Sequence, residues 1–288
     1  MLTPAAIDRV VGAALSEDAP WGDLTSSAFI PETAFARAEL IAREAGVASG
    51  LSVFASAFRL TDPGITVTAL LEDGAVFDPG SVLAVVEGPA RGILTAERVG
   101  LNLTQRMSGI ATLTARYVAE VAHTRARIVD TRKTTPGLRP LERHAVTSGG
   151  GRNHRYSLSD AVMVKDNHLA VLTADGSSVT EALRTAMSSL PHTVHVEVEV
   201  DRLDQIEPVL AAGVDTIMLD NFSLDDLRLG VGIVAGRAIV EASGGVSLDT
   251  VRAIAETGVD VISVGALTHS ARALDLGLDI RIAAPDAE

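Results

Sequence analysis

The residues most suited to chemistry are concentrated in one stretch. The chain has 288 residues with 22 arginines but only two lysines, Lys133 and Lys165. Both lysines fall between Arg125 and Lys165, where nine Lys/Arg face three Asp/Glu. That window carries +6 in a chain of net charge −13, so the remainder carries −19. Arginine gives a bidentate grip on carboxylates, whereas lysine supplies a compact point charge. Arg132, Lys133, His154, Arg155 and Lys165 together would therefore suit a polyanionic ligand. The alternative is a solvated basic face, which is less consistent with both lysines standing at predicted strand ends. His154 and Arg155 follow a triple glycine at 149–151, in a loop that is either flexible or closely packed.

Carboxylates of matching chemistry lie further on. "HVEVEV" (195–200) alternates strictly, placing His195, Glu197 and Glu199 on one face and the valines on the other. A half-exposed edge strand would read the same way. In a parallel sheet covered on both faces, such carboxylates must point into a hydrated, ion-bearing cavity, because an unpaired buried charge is costly. Asp220 offers a second carboxylate at the next strand end. One or two carboxylates with substrate oxygens is the usual way of holding Mg²⁺. "EASGGVS" and "SVGALTHS" place small residues, Ser243-Gly244-Gly245 and Gly265-Ala266, between a strand and a following helix. Backbone N–H groups there can bind an anion, and two such turns at consecutive strand ends favour a phosphate over ordinary loops. Thr95 resembles an N-cap, which would put Arg98 in the first turn of a helix over about 95–122. A cation there opposes the helix dipole, so Arg98 is either held by a neighbour such as Glu97 or reserved for a ligand.

The elements that must position these groups are legible. "RIVDT" (127–131), "AVMVK" (161–165), "VHVEVEV" (194–200), "TIMLD" (216–220), "AIVEA" (238–242) and "VISVG" (261–265) read as short strands separated by helical segments. This alternation predicts parallel βαβ units, with a barrel favoured and an open doubly wound sheet as the alternative. "AGVDTIMLDN" (212–221) recurs weakly as "TGVDVISVGA" (257–266), two units later. The N-terminal part is more mixed. "ARAELIAR" and "GITVTALL" read as strands, and "GLSVFASAFRL" as an amphipathic helix. "LEDGAVFDPGSVLAVVEGPA" reads as a hairpin of two strands joined through Asp78-Pro79-Gly80.

Composition removes several classes. A hydrophobic content of 47% predicts a globular chain with a large core. A pI near 4.9 argues against nucleic-acid backbone binding, and nine aromatics are few for a stacking surface. The absence of cysteine rules out disulfides, thiolate metal ligands and a thiol nucleophile. No run approaches 18 apolar residues, and the N-terminus lacks a signal-peptide pattern. A soluble, cytoplasmic protein without membrane partners is expected.

The ordered motifs "EDAPWGDLTS", "AREAGVASGL", "TAERVGLNLTQRMSGIAT", "DTRKTTPGLRPLERHAV", "GGGRNHRYSLSDAVMVKDNH", "EVEVD", "MLDN", "EASGG" and "GVDVISVGALTHS" resemble quinolinate phosphoribosyltransferase from about residue 17 to 270. The resemblance implies an α/β fold with an N-terminal α/β sandwich domain and an incomplete parallel α/β barrel. The boundaries would be 1–113 and 114–270, with 271–288 packing back on the first domain. It implies decarboxylating transfer of phosphoribose from 5-phosphoribosyl-1-pyrophosphate to quinolinate, giving nicotinate mononucleotide, pyrophosphate and CO₂ with Mg²⁺. Quinolinate would be held by Arg132, His154, Arg155 and Lys165, with Arg98 entering from the partner of a homodimer with shared sites. Assembly into hexamers is left open. Lys133 would serve both substrates, and Glu199 and Asp220 the ribose and metal. The 5-phosphate would meet Ser243, Gly244, Gly245, Gly265 and Ala266, with His269 nearby. Ser157 and His144 depart from the residues most expected at those positions. "NHR" and "KDNH" are both retained, unlike in a divergent relative associated with molybdate transport. Two other readings remain: a Schiff-base barrel aldolase using Lys133 or Lys165, and a non-catalytic anion-binding relative.

Overall fold

The computed structural model describes residues 2–282. Residues up to Ala115, Thr134–Gly150 and Thr268 onward form one compact unit, and Arg116–Lys133 with Gly151–Leu267 form a second. Of the expected segment 271–288, residues 283–288 lie outside the described residues.

The first unit contains β1 (Phe35–Ala42), β2 (Gly46–Val47), β3 (Thr66–Ala69), β4 (Val76–Phe77), β5 (Val82–Pro89) and the late strand β12 (Leu276–Ile282). β12-β1-β5-β3 form an antiparallel sheet. Along β1, Ala36, Ala38, Leu40 and Ala42 are buried while Phe35 and Arg37 are exposed, the period-two pattern of a strand with one covered face. The helix Leu51–Thr61 buries Val53, Phe54, Ala57 and Phe58, and the two rings meet edge-on at 4.8 Å.

Two expectations are corrected in this unit. Asp78-Pro79-Gly80 does form the turn, with Gly80 at φ +86° and Ser81 N–H donating to the Asp78 carbonyl at 3.1 Å. The strands it joins do not pair with each other, however. β4 pairs with β2, while β5 is flanked by β1 and β3. The long helix is Ala90–Val121, starting directly after β5 and five residues before Thr95. Tertiary contacts set that start: the Ala90 N–H donates to the Ala34 carbonyl at 2.9 Å, and Arg91 Nε to the Ile30 carbonyl at 2.7 Å. Thr95 is therefore no N-cap, and its hydroxyl donates to the Arg91 carbonyl at 2.9 Å. Arg98 is exposed and lies beyond the first turn, so its conflict with the helix dipole disappears.

A remote residue caps the helix Leu51–Thr61. Gly50 precedes it at φ +91° with no side chain to offer, and the Asp73 carboxylate accepts the N–H groups of Gly50 and Leu51, both at 3.1 Å. Burial alone would raise the Asp73 carboxyl. The His144 ring at 2.6 Å and the two backbone donors outweigh it and hold Asp73 below the usual carboxylate range. Asp73→Ala is expected to lower stability at neutral pH by about 1–2 kcal/mol, the scale of a lost cap. A depressed carboxylate contributes stability above its unfolded pKa and loses it as pH falls through the folded value. Urea melts at neutral and acid pH should therefore show the gap between wild type and Asp73→Ala closing in acid.

The second unit is a single parallel sheet in the order β6-β11-β10-β9-β8-β7. Its strands are β6 (Arg127–Val129), β7 (Val162–Val164), β8 (Val196–Val200), β9 (Thr216–Asp220), β10 (Ile239–Ser243) and β11 (Val261–Ser263). All six predicted strands are present. Val198, Ile217, Leu219, Val240 and Ile262 are buried, as expected for strands covered on both faces. β6 and β7 end the strand order, so the barrel is incomplete. Beside β6, Arg152 makes one parallel bridge to Val129, its N–H donating to the Ile128 carbonyl at 2.8 Å.

The internal repeat has a physical basis. Gly213 and Gly258 take φ of +88° and +95°, turning the chain out of a helical segment. Two residues later, Asp215 and Asp260 accept the N–H groups of Val196 and Val240 at 2.8 and 3.0 Å. Each Gly-Val-Asp thus turns the chain and satisfies a backbone donor at or next to the start of an adjacent strand.

Candidate active site

Six parallel strands bring their C-terminal ends to one side of the second unit. Around a cavity of about 420 Å³ stand Arg132 and Lys133 after β6, His154 and Arg155, Lys165 after β7, Glu199 on β8, Asp220 on β9 and Ser243 on β10. Eight of the predicted side chains converge there. The cations come from three separate places in the sequence, and the parallel topology brings them together.

Lys165 Nζ forms an ion pair with Glu199 Oε2, so each has an opposite charge at hand. Arg155 Nη1 donates to the Ala161 carbonyl at 3.1 Å. The intervening loop is tied by Asp160, which accepts the N–H groups of Tyr156 and Ser157 at 2.6 and 2.7 Å. Burial, and next the Arg132 guanidinium, push the Arg155 pKa down. A dianion between these guanidinium groups would relieve that repulsion. The first of the three glycines is closely packed: a Cβ on Gly149 would meet the Ala111 carbonyl oxygen at 2.3 Å.

His154 rests on two carboxylates. Its Nε2 lies 3.0 Å from Glu197 Oε2 and 3.5 Å from Glu241 Oε1, and both glutamates are buried. Its backbone N–H donates to Asp130 Oδ1 at 2.7 Å, and its Nδ1 accepts the Arg155 N–H at 2.7 Å. Burial alone would lower the imidazole pKa, but Glu197 and Glu241 outweigh it and hold it up at about 10. These contacts pull in opposite directions, since the carboxylates favour an imidazolium and a ring accepting at Nδ1 is neutral. The shared feature, a proton on Nε2, is the firmer conclusion because both forms carry it. Burial raises the Glu241 carboxyl. Glu197 Oε1 has no hydrogen-bond partner, and the 3.5 Å contact of Glu241 Oε1 with His154 Nε2 is an ion pair rather than a hydrogen bond.

The glycine turn after β10 has a steric cause. Gly244 takes φ +92°, and a Cβ there would lie 2.2 Å from Asn221 Oδ1 and 2.9 Å from Asn221 N. Asn221 is itself left-handed at φ 59°, and its side chain donates to Asp220 Oδ2 at 2.7 Å. Gly244→Ala should therefore displace Asn221 and disturb Asp220. A stability loss of about 1–3 kcal/mol is expected, the cost of one strained backbone position, measurable by denaturant titration.

The remaining predicted residues stand differently. The helix after β10 begins only at Val251, so its N-terminus is not at the Gly244-Gly245 turn. Gly265 directly precedes a single helical turn, Ala266–His269. His269 and Arg98 belong to the first unit, and the His269 ring lies 2.7 Å from Ser270 Oγ. Glu197, Glu241 and Asp130 belong to the constellation but were not chosen from sequence. Glu197 shares the parity of Glu199, Asp130 directly follows β6, and Glu241 lies within β10 two residues before its end, so the signal was present.

Among the described residues, two groups could take a cation. Glu199 and Asp220 are partly exposed at the cavity on adjacent strands. That hard-oxygen pair with room for water fits Mg²⁺. His154, Glu197 and Glu241 also bring ligand atoms within 4.8 Å of one another.

Residues 23–108 match the N-terminal domain, and residues 110–279 the C-terminal domain, of quinolinate phosphoribosyl transferase. The chain belongs to the quinolinate phosphoribosyl transferase family. Within the family it is 44% identical over 276 residues to the nicotinate-nucleotide pyrophosphorylase [carboxylating] of Mycobacterium leprae, covering 93% of this chain and 94% of that one. It is 40% identical over 272 residues to the probable nicotinate-nucleotide pyrophosphorylase [carboxylating] of Bacillus subtilis, covering 94% and 92%. The crystal structure of NadC from Streptococcus pyogenes superposes with a TM-score of 0.93 at 42% identity, covering 99% of each chain. The two-part α/β fold is thus that of the family. Among the described residues no helix is long and apolar enough to cross a membrane.

Proposed function

We propose that this chain transfers phosphoribose from 5-phosphoribosyl-1-pyrophosphate to quinolinate with loss of CO₂, yielding nicotinate mononucleotide and pyrophosphate. The observation that carries this reading is one cavity in which Arg132, Lys133, Arg155 and Lys165 face Glu199 and Asp220. Two substrates, one a dianion and the other a polyanion, need that balance of charge.

The chain's own groups would act chiefly by positioning. Arg132, Arg155 and Lys165 would seat the two carboxylates and aim the pyridine nitrogen at the anomeric carbon. Lys133 would lie against the charge that builds as the bond to pyrophosphate breaks. Glu199 and Asp220 would hold Mg²⁺, which when bound neutralises pyrophosphate charge. Once the nitrogen is quaternised, the bond from C2 to its carboxylate breaks, CO₂ leaves, and the electron pair stays beside N1⁺ until C2 takes up a proton. No Ser/His/Asp nucleophile is required. A Schiff-base reading would leave the carboxylate pair unexplained, and Lys165 is already paired with Glu199. The 5-phosphate would rest on Ser243-Gly244-Gly245 and Gly265-Ala266, near His269. The setting would be cytoplasmic, consistent with a cysteine-free chain.

The test is formation of CO₂ and nicotinate mononucleotide, with and without Mg²⁺, and with nicotinate as a parallel substrate. Metal-dependent product from quinolinate alone is expected. Failure to turn quinolinate over in folded protein would sink the reading. The active unit would be a homodimer in which Arg98, exposed on its helix, reaches the partner's cavity. Mixing Arg98→Ala with Lys133→Ala protein should then restore activity. No recovery after proven subunit exchange would exclude the shared site.

A further inference from the structure

Two buried carboxylates behind a cavity that must attract a dianion look out of place. Glu197 and Glu241 are 4% and 3% exposed; Glu197 Oε1 has no hydrogen-bond partner, and Glu241 Oε1 meets the His154 ring in a 3.5 Å ion-pair contact without a hydrogen bond. Burying unsatisfied carboxylate oxygens costs stability. A packing role would be filled as well by leucine or methionine, so the carboxylates need a purpose that offsets the cost. Neither takes part in the steps described above.

Their contacts identify that purpose. Both address the same atom, His154 Nε2, at 3.0 and 3.5 Å and from strands β8 and β10. The opposite side of the ring is engaged as well, because Nδ1 accepts the Arg155 N–H at 2.7 Å. Asp130 Oδ1 accepts the His154 backbone N–H, also at 2.7 Å. The imidazole is thus a strut between buried carboxylates and the backbone of Arg155. Fixing a ring by hydrogen-bonding its far nitrogen to a carboxylate is a general device for orienting histidines. The contact at Nε2 holds whether the ring is neutral or charged, since Nε2 carries a proton in both forms, while the link from Nδ1 to the Arg155 N–H is made by the neutral ring.

We infer that Glu197 and Glu241 are positioning residues for the quinolinate subsite, acting through His154 to hold Arg155 in place for the substrate carboxylates. The inference rests on the proposed function and deepens it by separating the two substrates. The carboxylates that would serve the phosphoribosyl donor, Glu199 and Asp220, are different residues. Loss of Glu197 or Glu241 should weaken quinolinate binding and leave the donor's binding unchanged.

Glu197→Gln and Glu241→Gln keep side-chain volume, which protects folding. Calorimetry would measure the Kd of each protein for quinolinate and for magnesium 5-phosphoribosyl-1-pyrophosphate, with turnover and melting followed in parallel. The expected result is a quinolinate Kd raised about tenfold to a hundredfold, the change that follows from losing a hydrogen bond to a charged group. The donor's Kd and kcat at saturating quinolinate should keep wild-type values. Wild type that binds quinolinate, with variants that bind it equally well, overturns the inference alone. So does a parallel loss for both substrates with a lowered melting temperature, which would mark a merely structural role. A divalent metal retained by wild type, lost in the variants and required for quinolinate binding would overturn it too, making the trio a metal site. Wild type that does not bind quinolinate at all would instead refute the proposed function.

Discussion

Lys133→Ala is expected to lower kcat by about 10²–10³-fold, the usual effect of removing one group that meets charge developing in a transition state. Lys133 is exposed on the segment after β6 and lines the cavity, so the loss should fall on turnover, with the folded protein retained. Lys133→Arg should recover little of the loss, because a planar fork cannot replace a compact charge. Steady-state kinetics with both substrates saturating would check this. Near-normal turnover in Lys133→Ala would remove Lys133 from the chemistry.

Lys165→Ala should show two effects of opposite sign. Without the ammonium, the KM for quinolinate should rise about a hundredfold, on the scale of a lost hydrogen bond between charged groups. Glu199, released from its ion pair with Lys165, should become more available to a divalent cation. The Mg²⁺ concentration giving half-maximal activity should therefore fall. Metal titrations at saturating quinolinate would separate the two. A rise in both quantities would show that Lys165 and Glu199 do not compete in the way their pairing implies.

The sequence was most informative where a residue's role follows from local pattern. Strands rich in β-branched residues, evenly spaced between helical segments, identified all six members of the parallel sheet. Their polar ends then pointed to six of the eight side chains at the cavity, and the loop after the triple glycine to the other two, His154 and Arg155. The sequence was least informative where distant residues decide. The start of the helix at Ala90 depends on the Ala34 and Ile30 carbonyls, which no local cap signal records. The turn at Asp78-Pro79-Gly80 was read correctly, but β5 found its partners in β1 and β3 rather than β4. Glu197 was passed over for Glu199, although parity places both on one face. Only packing distinguishes the buried residue behind His154 from the partly exposed one paired with Lys165.

The chain's only two lysines both line the cavity. Apart from the amino terminus, its amine reactivity is therefore confined to the site. Acetylation, succinimide-ester labelling or attachment to an amine-reactive resin can find no harmless lysine on the surface. Modification at either position should inactivate the protein, and bound substrate should shield both. Lysine-directed footprinting would thus report occupancy of the cavity without interference from the rest of the molecule.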